Sequence, residues 1–395
     1  MRVAFNCLQV DPFYAGGVNT YTLGLLDGFA AIGNGCRFQL YVTSENQHLF
    51  EKFREHKHFD LITIEDRRLS LRGKLCRAAL LTFSRALYQR TSNLTYGKIQ
   101  KEMDRHSDLI YTPTVVLQWF DSRKPTVLSM HDIQHLHYPE FFNWQRRLSR
   151  KITYGLSARC ANYFQASSHF IKQDLMAHFS DIAAEQIEVI PEGVNAAAFA
   201  AQNDIEALLR PYRLPERFLF CPAQLWPHKN HITILRALKK IENTQGIQIP
   251  LVLTGAPYSA ASQILDFLAG QSMTYVQYLG KVPFPDLVAL YQKAAFLITA
   301  VLYEAGSLPI LEAAAAGTPI IASKTPPNEE VARILALNLF DPLDVDALAG
   351  LILSLWNDEK IAATQVAHNR RQIGFYSWEN AARKYLQLFS RIVNP

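Results

Sequence analysis

"FLITAVLYEAGSLPILEAAAAGTPIIA" occupies residues 296–322. It opens on a short apolar run and closes on another, "PIIA", and neither shows polar alternation. Apolar runs of strand length on either side of a helical stretch are the pattern of parallel strands buried on both faces. Between them comes a turn. Ser307 holds the position of a helix N-cap, and Pro309 falls in the first helical turn, where its missing N–H leaves no bond unmade. Two carboxylates flank the turn eight positions apart: Glu304 in the loop, and Glu312 about one turn inside the helix. One reading makes them a cap and a solvated helix residue. The other makes them two halves of one binding site.

The same alternation runs through the chain. Apolar runs at 2–6, 37–43, 108–112, 126–130, 161–166 and 187–190 predict strands in the first half. Runs at 217–222, 250–255, 275–279, 295–300, 319–322 and 338–340 predict strands in the second. Helical patterns such as "HITILRALKKI" and "PDLVALYQKAA" separate them. Strands alternating with helices imply parallel sheets covered on both sides, and two such series imply two Rossmann-like α/β units. The joint is expected at "IPEGVNAAAFAAQND" (190–204), where turn and small residues interrupt the pattern.

A chain of 395 residues is long for one core and comfortable for two domains. Hydrophobic residues make up 49%, enough for both cores, and a charged fraction of 19% argues against disorder. No apolar run reaches the length of a membrane span, and the N-terminus reads as a first strand rather than a signal peptide. Cys7, Cys36, Cys76, Cys160 and Cys221 are scattered with no C-x-x-C pair. That suits a reducing cytoplasm without a structural disulfide or zinc site. The net charge of +5 is unevenly placed: Arg67 to Arg105 holds ten Lys/Arg against Glu102 and Asp104. A second basic group comprises Arg146, Arg147, Arg150, Lys151 and Arg159.

In open α/β sheets ligands sit beyond the carboxyl ends of the strands, and four loops there carry unusual residues. "AGGVNTYT" (15–22) follows the first strand, and Gly16 and Gly17 let the backbone of a helix N-terminus approach a phosphate. It is not G-x-G-x-x-G, so no nicotinamide cofactor is indicated. The alternative is a flexible turn. "MHDIQHLHYPEFF" (130–142) gathers His131, His135 and His137. His131 and His135 would share a face if helical and could then hold a metal; Pro139 and the aromatics favour a loop whose histidines meet sugar hydroxyls. "CPAQLWPHKNH" (221–231) places Lys229 ahead of a helix, either as a point charge on a diphosphate or as an ordinary surface lysine. The fourth loop is the opening stretch. Its amides around Gly306, Ser307 and Leu308 suit phosphate oxygens, whereas Glu304 and Glu312 repel phosphate and accept from sugar hydroxyls. Together the chemistry suggests a nucleoside diphosphate sugar. "DVD" (344–346) matches an Asp-x-Asp metal signature, but it begins a helix and reads as a cap.

These residues resemble the retaining glycosyltransferases of family 4, which have the GT-B fold: two Rossmann-like domains facing each other across a cleft. The most specific element is Glu304 to Glu312, an E-x7-E motif, followed by "EAAAAGTPIIAS" where the family usually reads "LEAMACGTPVV". Gly16-Gly17-Val18, His131-Asp132, "QASSHFIKQDL" (165–175), "VIPEGVN" (189–195) and Lys229 support it. "HDIQHLHYPEFF" resembles a mannosyltransferase-like subgroup, many of whose members assemble O-antigen or other surface polysaccharides. The resemblance implies an acceptor-side domain of residues 1–195, completed by a C-terminal helix of about 376–395. It implies a nucleotide-sugar domain of 196–375. Glu312 would bind the donor ribose and Glu304 the transferred sugar. The Ser307 and Leu308 amides, Lys229, and Gly16-Gly17 would hold the diphosphate, Lys281 and Val282 would lie along the base, and His131 would contact the transferred sugar near the reaction centre. Ser168 would sit near the cleft. The chain departs from the family pattern twice. Gln224 stands where many members have an arginine, and Ala305-Gly306-Ser307 replaces Gly-Phe-Gly.

The implied reaction is retaining hexosyl transfer from a nucleotide sugar, GDP-mannose favoured over UDP-sugars. The acceptor would be a glycan or lipid-linked molecule, and neither a metal nor a further cofactor is required. An epimerase or phosphorylase on the same fold, or an inactive sugar-nucleotide-binding module, stands as the alternative. "KLCRAALLTFSRALYQR" (74–90) reads as a basic amphipathic helix. Through 67–105 it would dock peripherally on an anionic membrane from the cytoplasmic side, or simply pack on the first domain. No module for nucleic acid is recognisable.

Overall fold

The computed structural model describes residues 1–11, 16–32, 35–64, 85–201 and 204–394. It divides into two compact units, one of Met1–Gly193 with Trp378–Pro395 and one of Val194–Ser377.

The first unit carries strands β1 (Arg2–Asn6), β2 (Arg37–Thr43), β3 (Phe59–Ile64), β4 (Leu109–Thr112), β5 (Thr126–Ser129), β6 (Tyr163–Ala166) and β7 (Ile187–Val189). They form one sheet in the order 3-2-1-4-5-6-7, and every pairing is parallel. Strand order reverses between β1 and β4, so the loops after these two strands diverge and leave a crevice. Six strands lie within two residues of their expected bounds. The seventh, β3 ("FDLITI"), was not expected, because Asp60 and Thr63 break its apolar run. As an edge strand it tolerates them, and Asp60 takes two bonds of 2.6 Å from the Arg37 guanidinium.

The last helix, Trp378–Val393, belongs to this unit and lies across the helix Gly17–Ala31. Its apolar face buries Trp378, Ala382, Tyr385 and Phe389. Contact is close enough to require glycine: a Cβ on Gly24 would meet the Trp378 ring at 2.2 Å, and one on Gly28 the Trp378 carbonyl oxygen at 2.3 Å. Beneath, the hydroxyls of Tyr21, Tyr111, Ser129 and Tyr385 form one buried network, which also takes in Gln165. Buried polar groups persist only when satisfied, and each of these has a partner. Of the basic segment, Arg85–His106 is helical, whereas residues 65–84, including most of the expected 74–90 helix, lie outside the described residues. No helix among the described residues is long and apolar enough to cross a membrane. The cysteines Cys7, Cys36, Cys160 and Cys221 are free.

The second unit carries β8 (Leu219–Pro222), β9 (Leu251–Thr254), β10 (Val276–Tyr278), β11 (Phe296–Thr299), β12 (Ile320–Ser323) and β13 (Asn338–Phe340), in the all-parallel order 10-9-8-11-12-13. Alternate residues enter two cores. Phe220, Leu297 and Ile320 pack under the helices Phe284–Lys293 and Leu308–Ala316. Leu219, Phe296, Ile298 and Ile321 pack under His231–Gln245 and Val345–Asn357. Burial on both faces is why these strands read as continuous apolar runs. Here the order reverses between β8 and β11.

Candidate active site

The loops that leave β8 and β11 are the two on either side of this reversal. One carries Gln224 and Lys229, the other Glu304, Gly306 and Ser307. The Leu302 amide donates to the His228 carbonyl at 2.8 Å and ties the two loops together. Beside them, the loop after β9 is stitched to the β8 loop by Leu225 N–H to Ala256 O at 3.0 Å. Its Gly255 amide donates to Gly280 O, after β10, at 2.8 Å. Gly255 has φ +126°, and a Cβ there would meet the Ala223 carbonyl at 2.6 Å, so only glycine lets these loops approach.

Lys229 ends a single turn, Pro227–Lys229, and its ammonium pairs with Oε1 of Glu304. The two side chains are 17% and 13% exposed. Oε2 of Glu304 has no partner among the described residues. From the sequence, the lysine is expected on phosphate and the glutamate on sugar; here the two side chains pair with each other. A diphosphate reaching Lys229 would release Glu304, which has its second oxygen already unengaged.

Ser307 occupies the N-cap of the helix Leu308–Ala316, with Pro309 in its first turn, but its hydroxyl makes no capping bond and is buried without a partner. The serine therefore does not act as the side-chain cap that the sequence suggested. Its carbonyl accepts from the Ile310 and Leu311 amides. The amides of Gly306, Ser307 and Leu308 donate to no described group, which leaves the positive end of the helix open to an anion.

Glu312 lies one turn further in. Tyr291, fully buried on the helix Phe284–Lys293, donates its hydroxyl to Oε2 of Glu312 at 2.6 Å. Burial raises the Glu312 pKa, and the tyrosine bond opposes that rise. Sequence reasoning missed Tyr291, which sits in an apolar helical stripe and reads as core. It also missed Trp226, whose indole N–H donates to Oε1 of Gln224 at 3.0 Å while its ring stacks on Tyr258 at 4.0 Å. Gln224, in place of the family's arginine, is therefore held by an aromatic pair. Lys281 is exposed beside Gly280, and Val282 packs partly against the core.

In the first unit, Gly16 caps the helix Gly17–Ala31 through its carbonyl, which accepts from the Asn19 and Thr20 amides. A Cβ on Gly17 would meet nothing within 4 Å. Among the described residues, nothing crowds that glycine. His131 leaves the end of β5, and its Nε2 donates to the Pro113 carbonyl, in the loop after β4, at 2.8 Å. Its ring packs edge-on against Tyr21 at 4.6 Å. Burial lowers its pKa, against the Pro113 bond and Asp132, so the ring is a neutral imidazole with Nδ1 as acceptor.

The metal reading of His131 and His135 required both on one helix, but only Gln134–His137 is helical, and the two rings pack on different partners, Tyr21 and Tyr154. His135 turns to the Tyr154 ring, and burial pushes its pKa down to about 4. Asp344 caps the helix Val345–Asn357 by accepting from the Asp346 and Ala347 amides, and Asp346 pairs with Lys240. "DVD" is a cap. Ser168 caps the helix His169–His178.

Residues 15–198 match the family described as Glycosyltransferase Family 4, and residues 204–372 match Glycosyl transferases group 1. O-antigen chain mannosyltransferase B of Escherichia coli is 26% identical over 267 residues, 67% of this chain and 69% of that protein. O-antigen chain mannosyltransferase RfbU of Salmonella typhimurium is 25% identical over 204 residues, 52% of this chain and 53% of that protein; the match spans about half the length of this second relative. Among solved structures, HepE of Anabaena in complex with UDP and glucose superposes with a TM-score of 0.75 at 18% identity, covering 99% of this chain and 100% of that one. WaaG, a glycosyltransferase involved in lipopolysaccharide biosynthesis, does so with a TM-score of 0.70 at 15% identity, covering 98% and 99%. Two parallel α/β units, each reversing strand order where its polar loops gather, join these matches: the chain belongs to the glycosyltransferases, with a family 4 domain followed by a group 1 domain in the GT-B fold.

Proposed function

We propose that the protein transfers a hexose, mannose from GDP-mannose in the first instance, to a glycan or lipid-linked acceptor with retention at the anomeric carbon. The observation that carries this reading is the Lys229–Glu304 pair beside the open amides of Gly306, Ser307 and Leu308. The second unit would hold the donor: Lys229, Gly306, Ser307 and Leu308 on the diphosphate, Glu312 on the ribose, Glu304 on the transferred sugar, and Lys281 and Val282 along the base. Gly16 and Gly17 of the first unit would add amides to the diphosphate, and the neutral His131 would contact the sugar. The bond between the anomeric carbon and the phosphate oxygen breaks as the acceptor oxygen attacks from the same face, and the acceptor proton passes to the departing diphosphate. Charge growing on that diphosphate is stabilised by Lys229 and a helix N-terminus, which is electrostatic stabilisation in place before reaction. Turnover without added metal follows from this reading.

The O-antigen mannosyltransferase relatives support mannose as the sugar and O-antigen synthesis as the setting; other surface polysaccharides and the cytoplasmic face of the membrane belong to the proposal itself. HepE, in its complex with UDP and glucose, supports a UDP-sugar as the second reading. Peripheral contact through 67–105 is part of the same proposal and predicts salt-sensitive flotation with anionic liposomes. The deciding experiment incubates the purified protein with GDP-mannose, UDP-glucose and UDP-N-acetylglucosamine, in EDTA, with a lipid-linked glycan acceptor. Anomeric configuration is then assigned by NMR. An α-linked mannosyl product supports the reading; an inverted linkage, or epimerised donor without transfer, overturns it.

A further inference from the structure

The residue that the histidine-rich loop leaves unexplained is His137. It ends the short helix Gln134–His137 and turns away from His131 and His135 towards another element. There, Asp174 and His178 stand four positions apart on the helix His169–His178, a spacing that stacks two side chains on one face. Nε2 of His137 lies 2.8 Å from both carboxylate oxygens of Asp174. Nδ1 of His178 lies 3.2 Å from Oδ1 of the same carboxylate. One ligand atom from each of the three residues lies within 4.8 Å of the other two.

We propose that His137, Asp174 and His178 bind a divalent cation of the zinc class, at a site separate from the nucleotide-sugar residues. A tetrahedral zinc ion with bonds of about 2.0–2.1 Å sets its ligand atoms about 3.3 Å apart. Two of the three edges already have nearly that length, and the third, at most 4.8 Å, closes by rotation of side chains. Asp174 is buried, while both histidines lie on the solvent side, where a fourth ligand could be water. Two imidazoles and one carboxylate suit Zn²⁺, Co²⁺ or Ni²⁺ rather than Mg²⁺ or Ca²⁺, which prefer oxygen ligands throughout. The scattered cysteines led to the expectation of no zinc site; this cluster uses no cysteine, so that observation does not bear on it.

Nδ1 of His178 also lies 2.9 Å from the Asp174 backbone carbonyl, where it carries its proton. Cation binding therefore shifts that proton to Nε2 and replaces the carbonyl bond with a metal bond. The site would pin the segment that begins with His131 to the helix capped by Ser168.

The full-length protein, stripped with EDTA and then freed of it, is titrated with ZnCl₂ against a chromogenic chelator and in thermal melts. One ion per chain and a raised melting temperature are expected, with no comparable effect of MgCl₂. Losing a direct ligand in H137Q, H178Q or D174N weakens binding by more than the ~10–100-fold cost of losing an outer-shell partner. D174N alone puts a buried position at risk, so the exposed H137Q and H178Q carry the test. Absent stoichiometric binding, or equal binding by wild type, H137Q and H178Q, overturns the site. Neither readout uses sugar transfer, so this outcome is independent of the proposed function.

Discussion

Consider a cycle of three variants at the ion pair: Lys229→Met, Glu304→Gln and the two combined. Both partners are mostly buried, at 17% and 13% exposure. Removing one charge strands the other in a poorly solvated site, which costs roughly 3–5 kcal/mol for a fully buried pair and roughly 0–1 kcal/mol for a surface pair. Exposure between these limits places each single variant at about 2–3 kcal/mol. In a unit of 150–250 residues each kcal/mol shifts Tm by about 2–4 °C, so a loss of roughly 4–12 °C is expected for each. The double variant leaves no orphan charge. Its Tm should return most of the way to wild type, giving a coupling energy of roughly 3–5 kcal/mol. Transfer should behave in the opposite way. Losing one preorganised donor to developing charge costs ~10²–10³ in kcat, and the double variant recovers none of it. Calorimetry and a radiolabelled-donor assay on all four proteins measure both quantities. Strictly additive Tm losses would show that the pair is not coupled. Recovery of turnover in the double variant would refute the roles given to Lys229 and Glu304.

Other outcomes follow from the same geometry. Tyr291→Phe removes the donor to Glu312, a bond to a charged group worth about 1.5–3 kcal/mol; donor affinity should fall by ~10-fold or more in isothermal titration, with the Glu312 pKa moving further up. Because burial raises the folded pKa of Glu312, the native state binds the extra proton, and stability is lost as pH rises from the ordinary carboxylate range through the folded value. Glu312→Gln should flatten that descending limb in melts measured against pH. Burial pushes His231 down to about 4 from an ordinary 6.5, so here the unfolded chain binds the extra proton and stability falls as pH drops from 6.5 to 4, by on the order of 3 kcal/mol. Proton uptake on unfolding at pH 5 checks this. Gly28→Ala drives a methyl into the Trp378 carbonyl and should destabilise by at least about 1–3 kcal/mol, whereas Gly17→Ala meets open space and should leave Tm near wild type while weakening donor binding.

The sequence by itself determined much of this protein. Strands buried on both faces announce themselves as unbroken apolar runs, because every side chain on them meets a core. A parallel pair needs a crossover, so those runs had to alternate with helices. The edge strand β3 escaped because only its tertiary partner, Arg37, accounts for Asp60. Candidate site residues were legible where the local chain suggests the chemistry: a glycine-rich turn, a proline in a first turn, two carboxylates around a helix start. What the tertiary structure alone decided was pairing. Lys229 and Glu304 are 75 residues apart in sequence, and Tyr291 and Glu312 are 21 apart; each meets its partner only because β8 and β11 lie side by side and two helices share one face of the sheet. The same holds for the histidines of 131–137, adjacent in sequence yet sent by packing to Pro113, Tyr154 and Asp174. Periodicity records which way a residue faces. What it faces depends on which distant strand the fold brings alongside, and no local pattern carries that.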